Sequence, residues 1–521
     1  MHRIRGLALL LALLLLTGCT RTAPSAQEPE PDSAAIVEEP SADPSEDSEQ
    51  ATPQDLTLAY AQGDSFNPYR AKTSVNRQLL GLLYEGLFAV SPDGTAQPRL
   101  CQRFEVSADL RTYTLYLRSG VQLHNGTALS PQDVIASLQA ARRDGYYAYR
   151  LRHIRSVVSV QSGAVSIELD TPYEDLPLIR DVPIVRARDV DADSPLGTGP
   201  YKRSGKRLLR FDSYWMGADA VDLGSRVRLR EASSADEICA AFTDGRILLA
   251  CVDPNGETGP IYHCASDLYA CDTMQMQYLG FNTESGPFRS ETLRAAITYL
   301  IDRETLVAEF CSSFADPTVL PCPSTSPHYD RSLALRYSYD PDKYWTMLND
   351  AEIHDSDADG VLDYFPGEKD LDARGTLLVC AGHPERLQMA RRIASTLQDY
   401  GIELNIRALN SADYRRALLQ GSYDLFLGET ALSPDGDLSA FFDPRSELCL
   451  RGMNREDLLL KCELALENGG NYYTLYEAIL KEGLFYPLLF KQYAVYVQSG
   501  SGVSLSPALG NLYYTPWEDP A

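Results

Sequence analysis

The chain has 521 residues, 44% of them apolar, and a formal net charge of −25. That length exceeds what one simple core organises and predicts two or more lobes, while the apolar fraction is that of an ordinary globular protein. So acidic a surface is repelled by phosphate backbones and anionic headgroups, which argues against nucleic-acid binding.

Arg3 and Arg5 precede an apolar run from Leu7 to Leu16, closed by Thr17-Gly18-Cys19. A basic start, an apolar stretch of about 10 residues and a small-residue site compose a secretory signal. The run is too short to cross a hydrocarbon core of about 30 Å. Leu16-Thr17-Gly18-Cys19 resembles the lipobox of bacterial lipoproteins. The resemblance implies removal of 1–18, lipidation of Cys19 and a membrane tether made of acyl chains. An ordinary secretory signal with a chance cysteine is the plainer alternative. Residues 20–55 are rich in Ser, Pro and Ala and carry ten acids against one base, Arg21. Such a segment buries too little apolar surface to offset its chain entropy, so an extended spacer is expected over 19–55. The body beyond it carries a net charge near −18.

From Leu56 to Tyr60 the chain alternates like a strand. Gln78–Phe88 reads as a helix with a heavy apolar face, and Thr112–Arg118 as a strand. Ser130-Pro-Gln-Asp133 opens a helix, with Ser as N-cap, Pro in the first turn and an acid at the third position. Val157–Val160 and Val165–Leu169 form a hairpin around Ser162-Gly163, and Leu208–Asp212 is a short strand. Helices follow over Ser234–Thr243, Ser290–Ile301 and Arg303–Phe310. Later, strands Leu377–Cys380, Ile402–Ile406 and Tyr423–Leu427 alternate with helices Glu385–Tyr400 and Ala412–Leu419, the former ending at Gly401. That alternation is the signature of a layered α/β lobe.

Ten cysteines remain beside Cys19. Outside the cell, disulfides are open to the groups Cys239/Cys251/Cys264/Cys271, Cys311/Cys322 and Cys449/Cys462, with pairing undetermined and free buried thiols the alternative. No tight CxxC or HxxxH spacing occurs, and His263-Cys264 is the only adjacent His/Cys pair, so no metal site and no cofactor are expected. Asp355-x-Asp357-x-Asp359-Gly360 imitates a calcium loop, but its twelfth position is Pro366 where the bidentate acid belongs; a capped turn is favoured. There is no G-x-S-x-G elbow, no H-E-x-x-H and no phosphate loop, so no enzyme is expected.

The order of segments resembles family 5 of the extracytoplasmic solute-binding lipoproteins, the oligopeptide/dipeptide/nickel group that serves ABC importers. The densest match is Asp109–Gly126 followed by Leu129-Ser-Pro-Gln-Asp133-Val134. Phe66-Asn67-Pro68-Tyr69, Leu83-Tyr84-Glu85-Gly86-Leu87, Gly197-Thr-Gly-Pro-Tyr201, Tyr214-Trp-Met-Gly217, Tyr278-Leu-Gly-Phe-Asn282, Leu293–Arg303, Asp355–Asp363, Gly401-Ile402 and Gly421–Leu425 follow the family order. The resemblance implies an α/β, two-lobed periplasmic-binding-protein-like fold (type II, cluster C) with an extra subdomain. The first lobe would use 56–95, 195–278 and 490–521, the extra subdomain 96–194, and the second lobe 280–488. It further implies a monomer on the extracytoplasmic face of the cell membrane. That receptor would close on a peptide and deliver it to permease subunits. Nickel chelates, haem or an oligosaccharide are alternative cargoes, and a surface hydrolase or a peptide-sensing receptor are alternative roles.

Within that frame the ligand-binding candidates are Asp437, Asp435, Asn67, Tyr84, Phe281, Asn282 and Tyr201. The family places an aspartate that pairs with a ligand's α-amino group in the segment Leu432–Phe442, and Asp437 aligns best. Gly436 stands where the family often has Trp or Tyr. Asn67 follows the first strand, Tyr84 lies on the apolar helix, Tyr201 shapes a turn, and Phe281 and Asn282 lie on a strand crossing between lobes. Each also has a purely structural reading, as a turn, a cap or a core residue. The tyrosine clusters at 146–149, 472–473 and 513–514 supply amphipathic rings suited to adaptable pockets.

Overall fold

The computed structural model describes residues 56–516 apart from 144, 161–162, 180, 218–219, 256–263, 365–370 and 468–471. Cys19, the signal, the spacer, His263 and Pro366 therefore lie outside the described residues.

Two long strands, Ser266–Phe281 and Phe485–Gln498, run antiparallel through the middle of a seven-stranded sheet. On one side Leu249–Val252 pairs with the second of them; on the other, Leu425–Ala431, Arg374–Cys380 and Glu403–Leu409 extend the sheet from the first. Arg374–Cys380 is parallel to both its neighbours, as the alternation of strand and helix predicts. The long pair changes register between Asp272 and Met276, a bulge that bends and twists the ladder. The resemblance places only the end of the first of them, Tyr278–Asn282, on a strand; its earlier part and the whole of Phe485–Gln498 carry no such signal. Gln277–Phe281 is buried on both faces while the earlier part is half-exposed, so no single period describes the segment. Phe485–Gln498 contains Pro487, which argues against a central strand.

A four-stranded sheet ordered Leu56–Tyr60, Arg226–Glu231, Arg207–Arg210, Tyr201–Ser204 begins with a parallel pair. A separate antiparallel sheet ordered Cys101–Val106, Thr112–Leu117, Val165–Leu169, Ile154–Ser159 contains the expected hairpin strands. Against it packs the helix Pro131–Ala141. Asp133 Oδ2 accepts hydrogen bonds from Ser130 N (2.9 Å) and Ser130 Oγ (2.6 Å), while Oδ1 accepts from Ala187 N (2.8 Å). The acid that starts the helix thus also anchors a distant loop.

The helix expected over Gln78–Phe88 is displaced. It spans Ser74–Leu83, starts on Thr73, whose Oγ1 accepts from Asn76 N, and ends at Tyr84 in extended geometry; Phe88–Val90 is already a strand. The cause is tertiary. Gly199 N donates to Leu83 O (3.1 Å), and a Cβ on Gly199 would lie 2.6 Å from Leu82 O. The Gly197–Tyr201 turn therefore lies directly on the helix end, where only glycine fits.

All ten cysteines after Cys19 are free thiols, so the grouped cysteines are not bridged. Burial pushes Cys101, Cys311 and Cys322 up to about 12, which makes them small apolar side chains rather than nucleophiles. No helix among the described residues is long and apolar enough to cross a membrane. In the Asp355–Asp363 turn, Asp355 accepts from Ala358 N (2.7 Å) and Gly360 N (2.9 Å), and Arg374 pairs with Asp359, Asp372 (2.8 Å) and Glu403 (3.0 Å). The acids there serve their own backbone and one arginine.

Candidate functional site

Strand Leu425–Ala431 runs into a loop, 432–443, that carries both candidate aspartates into the interior. Asp437 Oδ1 accepts from Ser439 N (2.9 Å) and Ser439 Oγ (2.6 Å). Its Oδ2 pairs with Arg152 Nη2 at 2.6 Å, in a contact whose side chains are only 6% and 17% exposed. Arg152 lies 285 residues earlier, just before the strand Ile154–Ser159, with its guanidinium 4.1 Å from the Tyr149 ring centroid. Burial works against the Asp437 charge, but Arg152 and Ser439 outweigh it and hold the carboxyl below its ordinary range. Asp435 is the opposite case. Burial, then the neighbouring Asp437 charge, push it up to about 7. Two carboxyls two residues apart are thus shifted in opposite directions.

Gly436 sits between them at φ +75°, and a Cβ there would meet His328 and the Tyr476 hydroxyl at 3.4 Å. The aromatic surface beside the aspartates comes instead from Tyr472 and Tyr476, stacked at 5.4 Å, with His328 at 4.7 Å from Tyr472. Around them the hydroxyls of Tyr173, Ser433 and Tyr472, and Asp175 Oδ2, are buried without hydrogen-bond partners. Unmet polar atoms are costly in a dry interior; of these, Asp175 Oδ2 faces His328 Nε2 at 3.9 Å.

Next to this loop is a cavity of about 310 Å³, lined by Tyr69, Tyr84, Glu85, Arg99, Tyr147 and Pro434 among others. Pro434 precedes Asp435, so the cavity and the aspartate loop adjoin. Asp181 also lines it and pairs with Arg150 at 2.5 Å. Tyr84 shows its ring to the cavity while its hydroxyl donates to Pro195 O (3.1 Å). Glu85 accepts from Thr198 Oγ1 (2.8 Å), Tyr214 OH (2.8 Å) and Trp215 Nε1 (3.1 Å), yet burial still raises its carboxyl.

The structure brings Asp435, Asp437 and Tyr84 to this one region, while the side chains of the other candidates are engaged elsewhere. Asn67 is fully buried: Nδ2 donates to Val190 O (2.8 Å) and Ala192 O (2.7 Å), and Oδ1 accepts from Tyr69 N (3.0 Å). Asn282 Nδ2 donates to Tyr423 O (3.0 Å), and its Oδ1 accepts from Glu284 N (3.1 Å). Phe281 packs between Phe288 and Tyr486. Tyr201 OH donates to Gly224 O (2.8 Å) and accepts from Leu223 N (2.9 Å). These four side chains hold turns and strands in register and do not line the cavity. Arg152, Arg150 and Asp175 carry no local signal in the sequence, whereas all three tyrosine clusters noted there contribute: Tyr147 and Tyr513 line the cavity, Tyr149 lies against Arg152 and Tyr472 beside the aspartates.

A family model described as bacterial extracellular solute-binding proteins, family 5 middle, matches residues 95–447. Among curated relatives, the glutathione-binding protein GsiB of Pectobacterium atrosepticum is 24% identical over 319 residues, covering 55% of this chain and 59% of that protein. GsiB of Salmonella typhi is 25% identical over 324 residues, covering 57% and 62%. The chain thus spans about six-tenths of the length of these relatives. Three solved structures share its fold. The ABC-transporter substrate-binding protein CtaP of Listeria monocytogenes has TM-score 0.71 at 17% identity, over 88% of this chain and 97% of that one. NikA of Brucella suis, in complex with Fe(III)-EDTA, has TM-score 0.68 at 19% identity, over 88% and 98%. The oligopeptide-binding protein AppA of Bacillus subtilis, in complex with a nonapeptide, has TM-score 0.59 at 17% identity, over 85% and 94%. At these identities the likenesses establish the fold, a mixed α/β architecture of the two-lobed periplasmic-binding type. With the family model covering most of the body, the chain belongs to family 5 of the bacterial extracellular solute-binding proteins.

Proposed function

We propose that this protein is a lipid-anchored extracytoplasmic receptor that captures a peptide between its lobes and delivers it, unaltered, to an ABC importer. The first lobe comprises 56–95, 195–278 and 490–521, with 96–194 as its extra subdomain; the second comprises 280–488. The paired strands Ser266–Phe281 and Phe485–Gln498 pass from one lobe to the other and form the hinge.

The observation that carries this reading is the Arg152–Asp437 pair beside the cavity. A guanidinium of the extra subdomain occupies an aspartate of the second lobe, so an internal cation stands where the α-ammonium of a peptide would stand. Cargo exchanges with Arg152 for Asp437, and the freed guanidinium turns to a carboxylate of the same peptide. Tyr84, Tyr147 and Tyr69 offer flat, amphipathic walls that tolerate varied side chains.

The test is native mass spectrometry of receptor taken directly from cells. An intact peptide riding on the protein supports the reading; a cleaved peptide points to a hydrolase. The pairing of Asp437 with Arg152 favours one second reading, an anionic cargo such as a metal chelate held by Arg150 and Arg152. A non-peptide mass would establish it.

A further inference from the structure

A second buried group of charges lies away from the cavity, where the long strands meet the parallel ones. Lys491 on strand Phe485–Gln498 bonds Asp253, just past strand Leu249–Val252, and lies 3.4 Å from Glu429 Oε2 on strand Leu425–Ala431. Glu429 Oε2 also accepts from Gln277 Nε2 (3.0 Å) and pairs with Arg386 Nη2 (3.1 Å). Glu385 and Arg386 open the helix Pro384–Asp399, which follows strand Arg374–Cys380. The group therefore sits at the carboxyl ends of two parallel strands, where open α/β sheets gather ligands.

Its charges do not balance. Arg386 and Lys491 face three carboxylates, Asp253, Glu429 and Glu385. Glu429 and Asp253 share the two cations. Glu385 is left over: its side chain is 4% exposed, and neither oxygen meets a hydrogen-bond partner in another residue. Its nearest cation is Arg386 Nε at 3.6 Å, which also lacks a hydrogen bond. Gln277 Oε1 is buried and unmet as well, and His383 Nδ1, also without a hydrogen bond, faces Glu385 Oε1 at 3.7 Å. Four of these five atoms can accept, so the missing group is a donor with positive charge. His383, Asp253 and Glu429 keep side-chain exposures of 32%, 24% and 19%, so the rim of the group reaches solvent.

We propose that Glu385 receives an ammonium group of the cargo, distinct from the α-amine assigned to Asp437, with Gln277 Oε1 and His383 Nδ1 accepting its remaining N–H bonds. The inference rests on the receptor reading above and narrows the cargo to solutes with a second cationic group, such as a lysine-containing peptide. An ammonium has three donors and one charge, which matches the acceptors and the surplus carboxylate.

The test compares Ala-Lys-Ala with Ala-norleucine-Ala, which has the same length but no side-chain charge, by calorimetry on full-length receptor stripped of cargo. Wild-type protein should prefer the lysine peptide by about ten-fold or more. Glu385→Gln should abolish the preference while Asp437→Asn weakens both peptides and keeps it. A preference that survives Glu385→Gln, or none in wild type, overturns the subsite and leaves the peptide reading intact. If neither peptide binds, the peptide reading fails and spermidine becomes the probe. Binding of spermidine lost in Glu385→Gln upholds the subsite, and no binding overturns it. The substitution is isosteric and breaks no hydrogen bond to another residue, so an unchanged circular dichroism spectrum is the expected control.

Discussion

Two buried carboxylates in this molecule face opposite situations. Asp437 has a guanidinium at 2.6 Å and two hydrogen bonds from Ser439, which hold its carboxyl below the ordinary range although its side chain is only 6% exposed. Glu385 is equally hidden from solvent but has only weakly placed cations, and burial, the largest influence, raises its carboxyl. The difference teaches that burial does not set the charge; the geometry of the nearest donor does. It also separates a group whose needs are met within the fold from one whose needs are met from outside.

The largest test of this contrast is Asp437→Ala. It strands Arg152 in the interior and should cost about 3–5 kcal/mol of stability in denaturant unfolding. Adding Arg152→Met should recover most of that loss, and a double variant no better than the single would break the pairing argument. Lys491→Met removes the cation shared by Asp253 and Glu429 and should cost about 3 kcal/mol, near the lower end for such pairs because both acids reach solvent.

Next comes the pH profile. Asp435 has a folded value raised to about 7, so the native state holds its proton where the unfolded state has lost it. Its contribution is complete below the unfolded value of about 4 and disappears as pH rises through about 7. Asp437, depressed in the fold, contributes stability above the unfolded value that is lost as pH falls through its folded value. Asp435→Asn should therefore flatten the decline in melting temperature between about pH 4 and 7, whereas Asp437→Asn should flatten the acid limb. The smallest effect is that of Glu385→Gln, which removes an unmatched buried charge. It should raise stability at neutral pH by up to about 1 kcal/mol, read as a higher melting temperature.

Much of the architecture was legible because its signals are local. Ser130 with Asp133 and Ser234 with Glu237 announce helix starts through side chains three residues apart, and the structure places helices there. The apolar run to Phe88 was misread because the Gly197–Tyr201 turn, more than a hundred residues away, ends that helix. Of the two long central strands only the segment ending at Phe281 is legible, because the burial of the rest changes along its length and Pro487 interrupts the second. In the site, Asp435 and Asp437 were found from their place after a strand, but Arg152 is joined to them only by the fold. Glu385 was visible as an acid in the first turn of a helix, an ordinary capping position. That sufficient local explanation concealed the charge count, which needs Asp253, Gln277, Glu429 and Lys491 brought together.

The free thiols supply a clock for opening. Seven of the ten are buried, and Cys462 and Cys322 lie beside the aspartate loop and Tyr476. A maleimide reaches these sulfurs only in molecules that have come apart locally, so alkylation rate measures how often the fold around them loosens. Saturating cargo should slow labelling at Cys462 while leaving the half-buried Cys239 unchanged. Because no bridge fastens the chain, dithiothreitol should leave the melting temperature where it is, and the receptor can be produced in a reducing cytosol.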